Sequence, residues 1–180
     1  MPERHRVKEV SHGRLEWGNA CSKTINQVEA GGMVALIGGR GTGKTQMSVE
    51  AIRWVCDLPK SALYTRAAEV FIAVRECYRK DAPATETQTI ERFCRPYLLV
   101  IDECHERGHT DAENRILSLI LDRRYAACRP TILIANNEPQ EFRIQIGESV
   151  YDRLVETGGW ITCNWQSFRV EGSTSTAEGK

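Results

Sequence analysis

Between Met33 and Thr45 the chain reads MVALIGGRGTGKT: an apolar run, a glycine-rich stretch, then Lys-Thr. The apolar run is long enough for one short buried strand. The segment that follows, TQMSVEAIRWVC, puts Met47, Ala51, Trp54 and Val55 on one helical face. The residues between them, Gly38 to Thr45, fit G-x-x-x-x-G-K-[ST] in its proper setting of strand before and helix after. Glycines let such a loop turn tightly and aim its N–H groups at phosphate oxygens, and the helix N-terminus adds a positive dipole end beneath them. Gly39, Arg40, Gly41, Thr42, Gly43, Lys44, Thr45 and Gln46 are therefore the candidate cofactor-binding residues. In a site for ATP, Lys44 reaches the β- and γ-phosphates and the Thr45 hydroxyl is placed to ligate Mg²⁺.

The rest of the chain repeats the alternation. ALYT, YLLVID, TILIAN and WITCNW read as four further strands. Between them AAEVFIAVRECYRK, QTIERFC, DAENRILSLILDRRYAAC and EFRIQIGESVYDRLVETGG read as helical, and WGNACSKTINQVEAGG is a helix capped by Gly31 and Gly32. Strands that are continuous apolar runs, alternating with helices, indicate an α/β fold with a parallel sheet buried on both faces. Residues 1–16 read as a flexible N-terminal arm, 17–170 as a single domain and 171–180 as a disordered tail.

Composition narrows the function classes. Lys plus Arg and Asp plus Glu number 24 each, so no net positive charge advertises nucleic-acid binding, although a local basic face can do the same work. The seven cysteines form no C-x-x-C pair, and the polar start MPERHRVKEVSHGR has no apolar core of a signal peptide. A reducing cytosol is the expected compartment. Apolar runs of about five residues fall far short of the ~20 that span a bilayer.

The stretch YLLVIDECHERGHTDAENR, Tyr97 to Arg115, admits three readings. DECH resembles a DExH helicase box, but too few residues follow Asp102 to supply a second motor domain. Cys104, His105 and His109 are candidate metal ligands, with no fourth obviously provided. The third reading fits the phosphate loop best. Asp102 ends a buried strand where it can serve Mg²⁺, and Glu103 can polarise a water in line with the γ-phosphate.

These residues together resemble the AAA+ ATPases of the DnaC helicase-loader and IstB transposition-helper group. The resemblance runs from about Trp17 to Arg169 and rests most on LLVIDE…DAENRILSLILDRRYAACRPTILIANN and on GESVYDRLVETGGWITCNWQSFR. It implies an AAA+ P-loop fold with a five-stranded parallel sheet between helices. It implies ATP and Mg²⁺ as cofactors, hydrolysis of ATP, and a homo-oligomer with ATP at subunit interfaces. It also implies a bacterial or phage-encoded protein whose partner is a replicative DNA helicase or, on the IstB side, a transposase. By the same resemblance Asn136 matches the sensor that orients the hydrolytic water, with Asn137 beside it as the alternative, and Arg153 matches an arginine finger acting on a neighbouring subunit. Ser149 stands where the family often has a second Arg, which leaves a nucleotide-gated adaptor with little hydrolysis as another reading. In this family, helices between the second and third strands line a path for single-stranded DNA. Arg75, Arg79 and Lys80, with Tyr78 as a stacking ring, are the nucleic-acid candidates. As a charge run alone they would be a solvated face.

Overall fold

The computed structural model describes residues 15–108 and 110–169. The expected tail at 171–180, nearly all of the expected arm and the metal candidate His109 lie outside the described residues.

In chain order the elements are α1 (Leu15–Glu29), β1 (Met33–Ile37), α2 (Lys44–Cys56), β2 (Ala62–Arg66), α3 (Ala67–Glu76), α4 (Glu86–Cys94), β3 (Leu98–Asp102), α5 (Asp111–Ala126), β4 (Thr131–Ala135), α6 (Pro139–Ile146), α7 (Glu148–Thr157) and β5 (Trp160–Thr162). The five strands form one sheet in the order β2-β3-β4-β1-β5, and every pairing is parallel. Residues of β1, β3 and β4 are buried along their whole length, because helices cover both faces.

Alternate residues of each strand supply the two halves of the core. Val34, Leu36, Val100, Ile132 and Ile134 face α1 and α2, where Val28, Met47, Ala51 and Val55 meet them. Ala35, Ile37, Leu99, Ile101 and Leu133 face the other layer, packing with Val70, Phe93, Leu117, Ile120 and Leu154 from α3, α4, α5 and α7. At the end of the sheet where β3 and β4 begin, Arg124 of α5 is fully buried. Its guanidinium donates to the carbonyls of Phe93, Cys94, Pro96, Tyr97 and Pro130 and to the Thr131 hydroxyl. One side chain thus ties α4, α5 and the starts of two strands. Burial lowers its pKa to about 10.

Several boundaries differ from the sequence expectation. Leu15 and Glu16 are helical rather than part of the arm. α3 stops at Glu76, so Tyr78, Arg79 and Lys80 lie in turns beyond it. α4 starts at Glu86 because Thr85 caps it, its hydroxyl accepting from Gln88 N while the Gln88 side chain returns to Thr85 N. The single helical stretch expected after β4 is broken at Gly147, whose φ of 86° a helix cannot continue through. β5 is only three residues long.

Candidate functional site

β1 lies between β4 and β5, and its C-terminal end opens into the crevice where open α/β sheets carry ligands. The phosphate loop leaves β1 there and turns back through glycines. Gly38 has φ 137° and lies so close to the Cys163 carbonyl that a Cβ would collide with it. Gly43 has φ 83°, and a Cβ there would stand 2.6 Å from the Trp17 indole nitrogen. No other residue type fits either place.

Lys44 is buried, and its ammonium donates at 2.6 Å to each of the Gly38 and Gly39 carbonyls. Burial pulls its pKa below the ordinary lysine value, Arg169 pulls in the same direction, and Cys163 and Asp102 partly offset them. A buried cation held by carbonyls rather than by a carboxylate is a receptor for anionic oxygens. Thr42 closes the loop on itself with a hydrogen bond to Gly39 O, and Gln46, buried on α2, donates to Glu50. Arg40 points outward and pairs with Glu106 at 3.1 Å.

Asp102 ends β3 and is buried. Its Oδ2 accepts from the Thr45 hydroxyl at 3.0 Å and from the Tyr64 hydroxyl at 2.5 Å, while Oδ1 accepts from Glu103 N at 2.7 Å. Thr45 gives its proton to Asp102, which leaves its oxygen lone pairs for a cation. One hydroxyl with a carboxylate behind it suits Mg²⁺, which keeps much of its water shell and takes few protein oxygens. Glu103 sits with φ 56°, a left-handed conformation uncommon outside glycine, which turns the chain sharply out of the sheet. Its carboxylate is half-exposed and 3.6 Å from Arg66 Nε.

The other two letters of DECH diverge. Cys104 is buried, its N–H bonded to Ile134 O and its thiol to Ile101 O, and burial raises its pKa to about 12. His105 turns instead to Asn136, with Nδ1 3.3 Å from Asn136 N and Nε2 3.2 Å from the Asn136 amide. Among the described residues no three His, Cys, Asp or Glu side chains gather as metal ligands. Asn137 faces away, its amide on Glu141 and Gln145 of α6.

Thr45 and Asp102 therefore meet between the loop after β1 and the end of β3, with Lys44 close by and Glu103 next in the chain; Asn136 follows β4, the strand between those two, with its contacts to His105. Arg153 has other partners. On α7 it pairs with Asp122 of α5 at 3.1 Å, donates to the Ser149 carbonyl and hydroxyl, and lies over the Tyr125 ring. Arg75 sits on α3 beside a cavity of about 550 Å³ lined also by Phe71, Ile72, His105 and Arg107. Arg79 and Lys80 line a separate, smaller one of about 250 Å³. Tyr78 is exposed, with its hydroxyl on Glu86 at 2.5 Å.

Some residues at this site went unassigned in the sequence. Tyr64 is one; its hydroxyl bond to Asp102 needs the parallel pairing of β2 with β3, which no local pattern encodes. Burial and that bond raise its pKa. The indoles of Trp17 and Trp165 donate to the successive loop carbonyls of Gly43 and Thr42, at 3.3 and 2.9 Å. Phe168 N donates to Gly41 O at 2.9 Å, and Arg169 lies alongside Gly41. The tryptophans and the Ser-Phe-Arg run near the end of the domain were the available signal.

Comparison with known proteins agrees with the fold and with a chain that binds ATP. A family profile described as IstB-like ATP binding protein matches residues 21–176. The replicative helicase loader DnaC of Escherichia coli K12 is 31% identical over 156 residues, which cover 84% of this chain and 63% of that protein. A crystal structure of the DnaC helicase loader superposes with a TM-score of 0.76 at 15% identity, covering 89% of this chain and 99% of the other. A replication initiator DnaA bound to AMPPCP and single-stranded DNA superposes with a TM-score of 0.70 at 17% identity, covering 87% and 48%. These likenesses fix the AAA+ P-loop fold. The chain spans about 63% of the length of the DnaC it matches.

Proposed function

The chain belongs to the family of IstB-like ATP-binding proteins, and from that premise we propose that it binds ATP with Mg²⁺ and hydrolyses it. The observation that carries this reading is the hydrogen bond from Thr45, beside Lys44 on the loop after β1, to Asp102, which with Glu103 ends β3, across the intervening β4. The loop N–H groups and Lys44 hold the β- and γ-phosphates. Thr45 and Asp102 hold Mg²⁺, which, when bound, neutralises phosphate charge. Glu103 polarises the attacking water, and Asn136 orients it. Arg153, set apart on α7, completes the site of a neighbouring copy as an arginine finger once it leaves Asp122 and Ser149. Function therefore needs a homo-oligomer.

The identity to a DnaC over most of this chain supports a cytoplasmic role in DNA replication, loading or remodelling a replicative helicase on single-stranded DNA. Arg75, Tyr78, Arg79 and Lys80 are the residues for the DNA strand. The experiment is ATP turnover with and without single-stranded DNA, for the wild type and Glu103→Gln. Wild-type turnover above Glu103→Gln, raised by DNA, is expected; equal background rates in all four conditions sink the hydrolysis reading. Pulldown with the cognate helicase in ATP and in ADP tests the partner.

The family profile's IstB description favours a second reading, a transposition helper with the same site and a transposase as partner. Capture of the transposase but not the helicase in that pulldown selects it. The in-chain satisfaction of Arg153 keeps a weakly hydrolysing adaptor as the limiting case.

A further inference from the structure

We propose that His105 is a positioning residue for hydrolysis, holding Asn136 at the end of β4 and tying it through Glu106 to Arg40 of the phosphate loop. The proposal rests on the reading above, in which Asn136 orients the attacking water.

Four side chains form one continuous line. Arg40 meets Glu106 Oε1 at 3.1 Å, the same oxygen lies 3.4 Å from His105 Nε2, and the two ring nitrogens of His105 face the backbone and side chain of Asn136. The ring is mostly enclosed, with 14% of its side-chain surface exposed, whereas Arg40 at 72% is open to solvent. The line therefore runs from the outer rim of the loop inward to the strand end.

The chemistry of the ring fixes its tautomer. Nδ1 accepts from Asn136 N–H and so carries no proton. The neutral ring then carries its proton on Nε2, where Glu106 Oε1 is an acceptor. A protonated Nε2 cannot also accept from an amide N–H. The atom placed against Nε2 is Asn136 Nδ2, so this tautomer requires the amide turned end for end, its oxygen on the ring, an exchange that the near-equal shape of the two ends permits. The ring thereby leaves the Asn136 N–H₂ unclaimed, as a donor for the water or the γ-phosphate.

A side chain fixed through both backbone and amide loses little on reaching its working geometry, and misplacement by about 1 Å costs on the order of 10²-fold in rate. Arg40 belongs to the loop, so its exposed pair with Glu106 is the link through which a bound nucleotide could reach the ring that holds Asn136.

The test compares His105→Ala and His105→Gln with the wild type. His105→Ala should lower kcat roughly 10-fold or more with ATP affinity held within about twofold. His105→Gln, which keeps one acceptor and one donor, should recover most of that loss. Hydrogen exchange at the Asn136 amide, followed by NMR without turnover, should quicken in His105→Ala and stay slow in His105→Gln. Wild-type kcat in His105→Ala, a loss that His105→Gln does not relieve, or unchanged exchange at Asn136 overturns the proposal. A wild type that binds ATP without turnover defeats the hydrolysis reading, and the exchange measurement then decides the tie by itself.

Discussion

Thr45 and Asp102 stand 57 positions apart in the chain, yet the hydroxyl of one donates to Oδ2 of the other at 3.0 Å. The contact joins the first turn of α2 to the end of β3 and leaves the hydroxyl oxygen's lone pairs open to a cation. Thr45→Val removes that oxygen and keeps the volume. Its ATP affinity in Mg²⁺ should fall about 10-fold or more, towards the value measured with EDTA. A variant that still gains affinity from Mg²⁺ as the wild type does would place the cation elsewhere.

Tyr64 separates the support of Asp102 from cation binding. Tyr64→Phe takes one of two hydroxyl donors from a buried carboxylate oxygen. Hydrogen bonds to charged groups contribute about 1.5–3 kcal/mol, so denaturant unfolding should register a loss of that order without Mg²⁺. Unchanged stability would show that water replaces the phenol.

Glu103→Gln preserves the shape of the acidic pair and removes its base. Turnover should drop by about 10²-fold or more while ATP still binds, because the phosphate contacts come from the loop and Lys44. Loss of ATP binding together with turnover would mean that Glu103 supports the fold of the loop.

Arg124 tests the other end of the sheet. Its guanidinium satisfies five carbonyls and a hydroxyl in a fully buried position. Arg124→Met removes those donors, although Cys94 O keeps Arg129 and Pro130 O keeps Leu99 N, and should cost roughly 3–5 kcal/mol in denaturant unfolding. Arg124→Lys, with three donors instead of five, should recover only part.

The buried thiols give the protein a pH dependence. Burial raises the pKa of Cys21 and Cys163 to about 11 and of Cys104 to about 12, from an ordinary value of 9. Between pH 9 and those values the folded chain keeps protons that the unfolded chain has lost. Stability is therefore fully present below pH 9 and falls as pH rises through the folded values, by up to about 1.4 kcal/mol per pH unit for each thiol. Unfolding midpoints between pH 8 and 10.5 measure the slope. At pH 8 a thiol reagent should label exposed Cys56 and Cys128 well before these three.

The sequence carried the phosphate loop and the acidic pair because each is a local signal: glycines and Lys-Thr within eight residues, Gly38 to Thr45, and two successive carboxylates at the end of an apolar run, Asp102 and Glu103. The three central strands were legible for the same reason, since buried parallel strands are uninterrupted apolar runs. What stayed hidden depends on pairings between distant segments. Tyr64 reaches Asp102 only once β2 lies beside β3, and His105 reaches Asn136 only once β3 lies beside β4. The break at Gly147 was missed because the apolar periodicity of α6 and α7 continues across it. Arg153 could be marked only by family likeness, since its in-chain partners are those of an ordinary surface arginine.

Trp17 stands near the start of α1 and Trp165 just beyond β5, and their indoles grip adjacent carbonyls of one loop. Both ends of the folded domain are consequently moored at the nucleotide's doorstep, on one side of the molecule. Trp17 and Phe168 are therefore neighbours about Gly43, whatever the distance between them in the gene. Reporter dyes placed at these two ends would share a common origin, and their separation would follow whatever the phosphates do to the loop.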